Sequence, residues 1–468
     1  IDMARKLEGM PRNASTHAAG VLITAEPVVE YCPLQTNDDV ITTQFPMTTV
    51  EQLGLLKMDF LGLRTLNVIM DTIEMVRAGG GTVCDAADIP DDDPGVYQMI
   101  SDGDTDGVFQ LESGGMRLFL QNMKPSCFED VIAAISLYRP GPMDSIPRYI
   151  AGKNDPATVH YETPLLRPIL EVTYGCMVYQ EQVMQIVRDL AGYSLGRSDL
   201  MRRAMAKKKR DVMAKEREYF IDGMTDEAGN VLIDGAVRRG VRREVAEKIF
   251  DEMSAFASYA FNKSHAAAYA MVAVQTGWLK RYHPVPFMAA TLNSMMDNAP
   301  KVAGYIQYCR QNGIPVLKPD VNKSVWRFSV DRDERGVPGI RFGLGGVKNV
   351  GHGAVELVEK ERRNGPFANL FDFVERVSGE ALNKRTVESL IKAGAFDGLG
   401  HNRAQLLNVY ERLMDDATQK RRQNVAGQLS LFDMGLDAGA SSASLFDVPP
   451  MQEHPRKALL GMEREMTG

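Results

Sequence analysis

Short apolar, β-branched runs separated by Pro, Asn and Asp fill residues 20–63: "GVLIT", "VITTQF" and "GLLKMDF". This punctuation predicts strands. From about 65 to 300 the period changes to that of a helix. "LNVIMDTIEMV", "FEDVIAAISLY", "YQEQVMQIVRDLAGY" and "HAAAYAMVAVQTGWLKRY" all place apolar residues three and four apart. Residues 313–347 return to β-like segments such as "GIRFGLGGV", and helical periodicity resumes over 351–415. The stretch 416–456, rich in Gln, Ala, Ser, Gly and Asp, reads as a linker.

Composition narrows the classes. A chain of 468 residues can hold about three domains. It begins at Ile1 and stops at Gly468 inside a helical pattern, which fits a piece of a longer protein. The five cysteines, Cys32, Cys84, Cys127, Cys176 and Cys309, are scattered without a CxxC pair, as in a reducing cytoplasm. No run of eighteen apolar residues occurs, so a soluble cytoplasmic protein without a membrane partner is expected. The net charge of -7 excludes a uniformly basic coat, yet "RRAMAKKKRDVMAKER" (202–217) carries eight Lys or Arg, and "RRGVRR" follows at 238–243. Such runs are either solvated faces or contacts for a polyanion.

Some motifs fail on spacing. "DGDTDG" (102–107) imitates the start of a calcium loop, but position twelve is Ser113. "AGGG" (78–81) lacks the dinucleotide spacing, no GxxxxGK[ST] is present, and "PDDDP" (90–94) suits an exposed turn. Two places suit an anion better. In "FNKSHAAAYAM" (261–271), Ser264 or Asn262 can cap an Ala-rich helix whose free N–H groups and dipole favour phosphate, with Lys263 adding charge. In "LYRPGPM", Pro140, Gly141 and Pro142 form a stiff turn that aims Arg139. Asp59, in "GLLKMDFLGLR", reads as a carboxylate in a buried strand; its partner is either Lys57, two residues back on the same face, or Mg²⁺.

"HAAGVLI", "GLLKMDFLGLRTLN", "GDTDGVFQLES", "YRPGPM", "YQEQVMQI", "LMRRAMAKKK" and "FNKSHAAAYA", in this order, resemble the alpha (catalytic) subunits of bacterial DNA polymerase III, the C-family replicative polymerases. The similarity runs over essentially the whole chain. It implies an α+β, mostly helical fold: the end of a polymerase-beta-like nucleotidyltransferase palm (1–64), large helical fingers (65–312), a tandem helix-hairpin-helix region (313–415), a linker (416–456) and the start of a following domain (457–468). It further implies template-directed DNA synthesis by two-metal phosphoryl transfer, on primer-template DNA with deoxynucleoside triphosphates.

By that resemblance Asp59 matches the third of three Asp ligands of two Mg²⁺ ions, with Lys57 beside it. The first two, in an Asp-x-Asp, are expected upstream of Ile1, so the chain alone is expected not to polymerise. Arg139, Arg202, Arg203 and Lys207 match segments facing the triphosphate, and Lys208 and Lys209 face DNA. Asn262, Lys263, Ser264 and His265 match a segment near the nucleotide sugar, with Ser264 and His265 as discriminators of deoxyribose. Lys348 and Lys392 match duplex-gripping hairpins. Gln428, Leu429, Ser430, Leu431 and Phe432 resemble the peptide that docks on the sliding clamp; "SLFD" recurs at 444–447. Other replicase subunits are further expected partners. The competing reading is a noncatalytic DNA-binding or repair module built on the hairpins and basic helices.

Overall fold

The computed structural model describes residues 2–10, 16–17, 19–37, 39–83, 85–206, 210–257, 260–377, 382–425 and 448–468. The chain divides into two compact units, residues 1–64 and 65–468.

The first unit holds two antiparallel strand pairs. β1 (Gly20–Ile23) pairs with β4 (Leu56–Asp59), setting Gly20 opposite Asp59 and Leu22 opposite Lys57; β2 (Leu34–Asn37) pairs with β3 (Val40–Thr43). The strands fall where the β-branched runs place them, but β4 is not buried. Leu56 and Met58 are exposed, as are Phe60 and Leu61 after it. A sheet of two strands has too little surface to cover both of its faces, so the expected buried setting of Asp59 is corrected to an open one.

The second unit is mostly helical. Its helices include α1 (Arg64–Ala78), α2 (Gly114–Met123), α3 (Phe128–Leu137), α4 (Gln180–Ala191) and α5 (Leu195–Ala206). The hairpin β5 (Met224–Thr225) and β6 (Val231–Ile233) precedes α6 (Lys263–Tyr282), α7 (Pro284–Ser294) and α8 (Ala299–Gln311). A three-stranded sheet follows, with β9 (Pro338–Arg341) between β7 (Val316–Leu317), parallel to it, and β8 (Ser329–Arg332), antiparallel. Then come α9 (His352–Arg362), α10 (Leu370–Arg376), α11 (Lys384–Lys392), α12 (Arg403–Val425) and α13 (Arg456–Thr467).

Helix α6 organises this unit. Alanine is the strongest helix former, and Ala266, Ala270 and Ala273 bury completely against the core that includes Ala133 and Ala134 of α3. At Gly277 a Cβ would stand 3.1 Å from Val96 Cγ1, so small residues set how closely the layers approach. The last turn of α6 enters a second core. There Leu279 joins α7, α8, the three-stranded sheet and α9 to α13, so packing is continuous across residue 312. A third core surrounds α4, α5 and residues 220–253.

The stretch 416–456 differs from the linker that its composition suggests. α12 continues to Val425, because "TQKRRQNV" holds good helix formers. Residues 449–453 lie along the start of α12: the Pro449 and Met451 carbonyls accept from Gln405 and Asn402, and Glu453 accepts from the Arg403 and Ala404 N–H groups. α13 then packs on α11 and sends Met466 into the shared core. Arg403, 6 % exposed, ties these pieces together through Asp397 and Glu463, at 2.7 and 2.8 Å.

Candidate functional site

In the first unit, Lys57 Nζ lies 2.6 Å from Asp59 Oδ1, and His17 Nδ1 stands 3.9 Å from the same oxygen. Gly20 lets the three converge, since a Cβ there would meet Lys57 Cε at 2.7 Å and His17 Nδ1 at 2.9 Å. The hydrogen bond from Lys57 holds the Asp59 carboxyl below its ordinary value, keeping it ionised. Mg²⁺ takes a near-octahedral set of oxygens. Among the described residues no group of three His, Cys, Asp or Glu gathers to hold a metal ion.

In the second unit, a cleft of about 460 Å³ lies between the 107–113 loop, the turn after α3 and the start of α6. Gly141, with φ of +103°, turns the chain after Arg139, whose guanidinium sits 4.0 Å above the Phe261 ring. The His265 ring packs at 4.2 Å on Tyr269 and at 5.3 Å on Phe261. Arg139 and His265, far apart in sequence, thus line one cavity. Behind them, buried Gln182 accepts from the Val178 and Tyr179 N–H groups, and the Gln180 N–H donates to the Phe261 carbonyl at 2.9 Å.

The amino end of α6 is built differently from the expectation of a free anion seat. Asn262 is the cap, accepting from the His265 N–H at 2.8 Å, whereas Ser264 is exposed in the first turn. Glu181, from α4, occupies the seat: it accepts from the Lys263 N–H at 3.0 Å and from Asn262 Nδ2 at 2.8 Å. The Lys263 ammonium is 3.0 Å from Glu129. A carboxylate at a helix N-terminus gains from the dipole as a phosphate would, so internal acids neutralise the groups read as phosphate ligands. Arg202 and Arg203 follow the same rule. Both pair with Asp199, at 2.7 and 2.8 Å, and Arg202 also donates to Gln180 at 2.9 Å. The bond from Arg202 lowers the Asp199 pKa. Lys207, Lys208 and Lys209 lie outside the described residues.

The calcium-like loop has a protein cation at its centre. Lys280 Nζ, 3 % exposed, donates to Asp104 Oδ1 at 2.7 Å and to the Asp104 and Asp106 carbonyls at 3.0 Å. Burial pushes its pKa down, against the pull of Asp104. Nearby, Glu112 accepts from Tyr305 at 2.8 Å and Lys301 at 3.2 Å; burial raises its pKa, but these bonds outweigh burial and leave it lowered. The loop fails the calcium spacing, and the helical run around Lys280 does not mark that lysine as its cation.

In the hairpin region Lys348 is exposed, and its backbone N–H donates to Met466. Lys392 pairs with Glu388 at 2.8 Å and with Glu465 at 3.9 Å, and the Glu388 bond raises its pKa. A Lys four residues after a Glu on one helix meets it directly. The peptide Gln428–Phe432 lies outside the described residues. Periodicity gave no sign of Glu129, Glu181 or Asp199, whose partners come from other elements or from the same helix face. Among the described residues no helix is long and apolar enough to cross a membrane.

Comparison with known proteins adds to this geometry. Residues 65–228 match the finger domain of the bacterial DNA polymerase III alpha subunit, residues 1–62 match the family described as its NTPase domain, and residues 313–406 match a helix-hairpin-helix motif. The chain is 46 % identical over 466 residues to the DNA polymerase III subunit alpha of Thermus aquaticus, covering 98 % of this chain and 37 % of that protein. Its counterpart in Xylella fastidiosa strain Temecula1 is 43 % identical over 480 residues, covering 100 % and 39 %. That of Escherichia coli K12 is 41 % identical over 482 residues, covering 100 % and 40 %. The chain thus spans well under half the length of these relatives.

Proposed function

Because the chain belongs to the family of bacterial DNA polymerase III alpha subunits, we propose that it supplies part of the palm, the fingers and the duplex-binding region of a replicative DNA polymerase. The observation that carries this reading is the cleft that brings Arg139 and His265 together beside the amino end of α6. A deoxynucleoside triphosphate enters there, with its phosphates drawn to Arg139, Arg202, Arg203 and Lys207. Electrostatic stabilisation of transferring phosphate is the main work of such groups. Asp199 keeps Arg202 and Arg203 ordered, and Glu129 and Glu181 keep Lys263 ordered, until phosphate competes for them. His265, fixed between two aromatic rings, closes the space on the sugar side and disfavours a 2′ hydroxyl.

Asp59 contributes one carboxylate to Mg²⁺ in a palm of polymerase-beta type, with the other ligands drawn from the rest of the protein. When bound, the metal pair activates the primer hydroxyl and neutralises the departing pyrophosphate. Lys57 holds Asp59 ionised and aimed. The hairpin region, through Lys348 and helix-end N–H groups, grips primer-template backbone without reading sequence. The Gln428–Phe432 peptide docks on the sliding clamp in a cytoplasmic replicase with further subunits. On this reading the chain alone does not polymerise.

Asp59→Asn in the whole polymerase tests the assignment. Primer extension falls by about a hundredfold or more while primer-template affinity holds. Normal extension by the variant would favour the noncatalytic DNA-binding reading of these residues.

A further inference from the structure

Gln110 lies in the cleft wall in a conformation that its side chain does not favour. Its φ is +63°. Among the described residues the other non-glycine residues with positive φ have ordinary reasons for it. Lys124 and Tyr174 close helices at their C-termini, and Asp39 and Asn349 are of the types that tolerate this region. Gln110 is neither. It is the third residue of a turn closed by the Leu111 N–H on the Val108 carbonyl at 3.1 Å, the position at which glycine or asparagine is expected.

The surroundings enforce this backbone from both sides. The Phe109 N–H donates to Thr276 Oγ1 of α6 at 3.1 Å, and the Phe109 ring packs on Tyr269 at 5.0 Å. The Leu111 carbonyl accepts from Thr105 Oγ1 at 2.7 Å, and Val108 and Leu111 are fully buried. The turn is pinned on each flank while the Gln110 side chain itself is exposed at the cavity. Strain maintained by its neighbours at a cavity wall points to a side chain that must be presented there.

The chemistry of the amide narrows what it meets. It is neutral, so it adds nothing to the charge that Arg139 offers to phosphate. It offers two N–H donors and one acceptor, suited to the uncharged part of a nucleotide. In the minor groove adenine and guanine present N3, and pyrimidines O2, so one donor can engage every correctly formed pair. We propose that Gln110 donates a hydrogen bond to the minor-groove acceptor of the nucleotide in this cleft, making it a specificity-determining residue for correct base-pair geometry. The proposal rests on the nucleotide reading of the cleft given above.

The test compares dATP with 3-deaza-dATP, in which C–H replaces N3, in single-nucleotide incorporation by the whole polymerase. The wild-type protein is expected to lose about tenfold in kcat/KM on the analogue, the scale of one hydrogen bond. Gln110→Gly, which relieves the strain, and Gln110→Ala, which keeps it, both lose about tenfold on dATP and no longer distinguish the two nucleotides. Equal use of both by the wild-type protein, or undiminished discrimination by Gln110→Gly, overturns the proposal while leaving the nucleotide reading intact. Failure of the wild-type polymerase to incorporate dATP at all overturns both.

Discussion

Replacing Lys280 by Met keeps the length of the side chain and removes its charge. Three acceptors lose one donor each: Asp104 Oδ1 and the Asp104 and Asp106 carbonyls. Breaking a buried ion pair from one side costs about 3–5 kcal/mol. Here the lower end applies, because the Asp104 side chain is 42 % exposed and can rehydrate, and because Tyr308 still donates to it at 2.8 Å. A loss of about 3 kcal/mol follows. With a urea slope of about 3 kcal/mol/M, that moves the unfolding midpoint down by about 1 M. Fluorescence of Trp278, two residues from Lys280, read beside circular dichroism, follows the transition. Combining Lys280→Met with Asp104→Asn should cost less than the sum of the two by about 1 kcal/mol, as for residues in direct contact. An unchanged or raised midpoint in Lys280→Met would refute the argument, showing that dehydration of the ammonium outweighs its three bonds.

Acid should loosen the attachment of α13. Asp397 is partly buried, which raises its pKa, but bonds from Arg403 outweigh this and leave it below the ordinary value. A carboxylate depressed in the folded state contributes stability above its unfolded pKa of about 3.9, and loses it as pH falls through the lower folded value. Asp397→Asn is expected to flatten the acid limb of stability against pH; an identical limb in the variant counts against the pairing. For the peptide outside the described residues, Leu431→Ala with Phe432→Ala should abolish clamp-stimulated long synthesis and spare single-nucleotide addition. Undiminished retention of the double variant on immobilised clamp would place that contact elsewhere.

Local signals were legible and distant partners were not. The apolar spacing of "FEDVIAAISLY" and "YQEQVMQIVRDLAGY" predicts helices that the structure has at 128–137 and 180–191. The β-branched runs near residues 20, 40 and 56 became strands. Strand burial is not legible in the sequence, since whether an apolar run is covered depends on what the rest of the fold lays over it. The cap at Asn262 was one of two local options, but Glu181, which fills the anion seat, lies 82 residues from Lys263. No spacing rule connects them. Composition marked residues 416–456 as a linker, yet a helix continues into its beginning and backbone carbonyls near its end dock on α12. The strain at Gln110 was hidden too, because backbone geometry imposed by flanking tertiary contacts leaves no trace in side-chain polarity.

One helix serves two cores, and this has a mechanical consequence. A helix of 20 residues is a rod about 30 Å long. Ala266, Ala270 and Val274 are fixed in the layer around the cleft, while Leu279 is fixed among the elements that continue into the hairpins. Trp278 touches both sets. No loop interrupts the rod, so it offers no hinge at which one end could turn independently of the other. A tilt forced on its last turn by a load at the hairpins would therefore be carried along the rod towards His265 at its other end. On the reading proposed above, with nucleotide in the cleft and duplex at the hairpins, linkage makes the traffic symmetrical: whatever free energy one binding event lends to the other, the other returns.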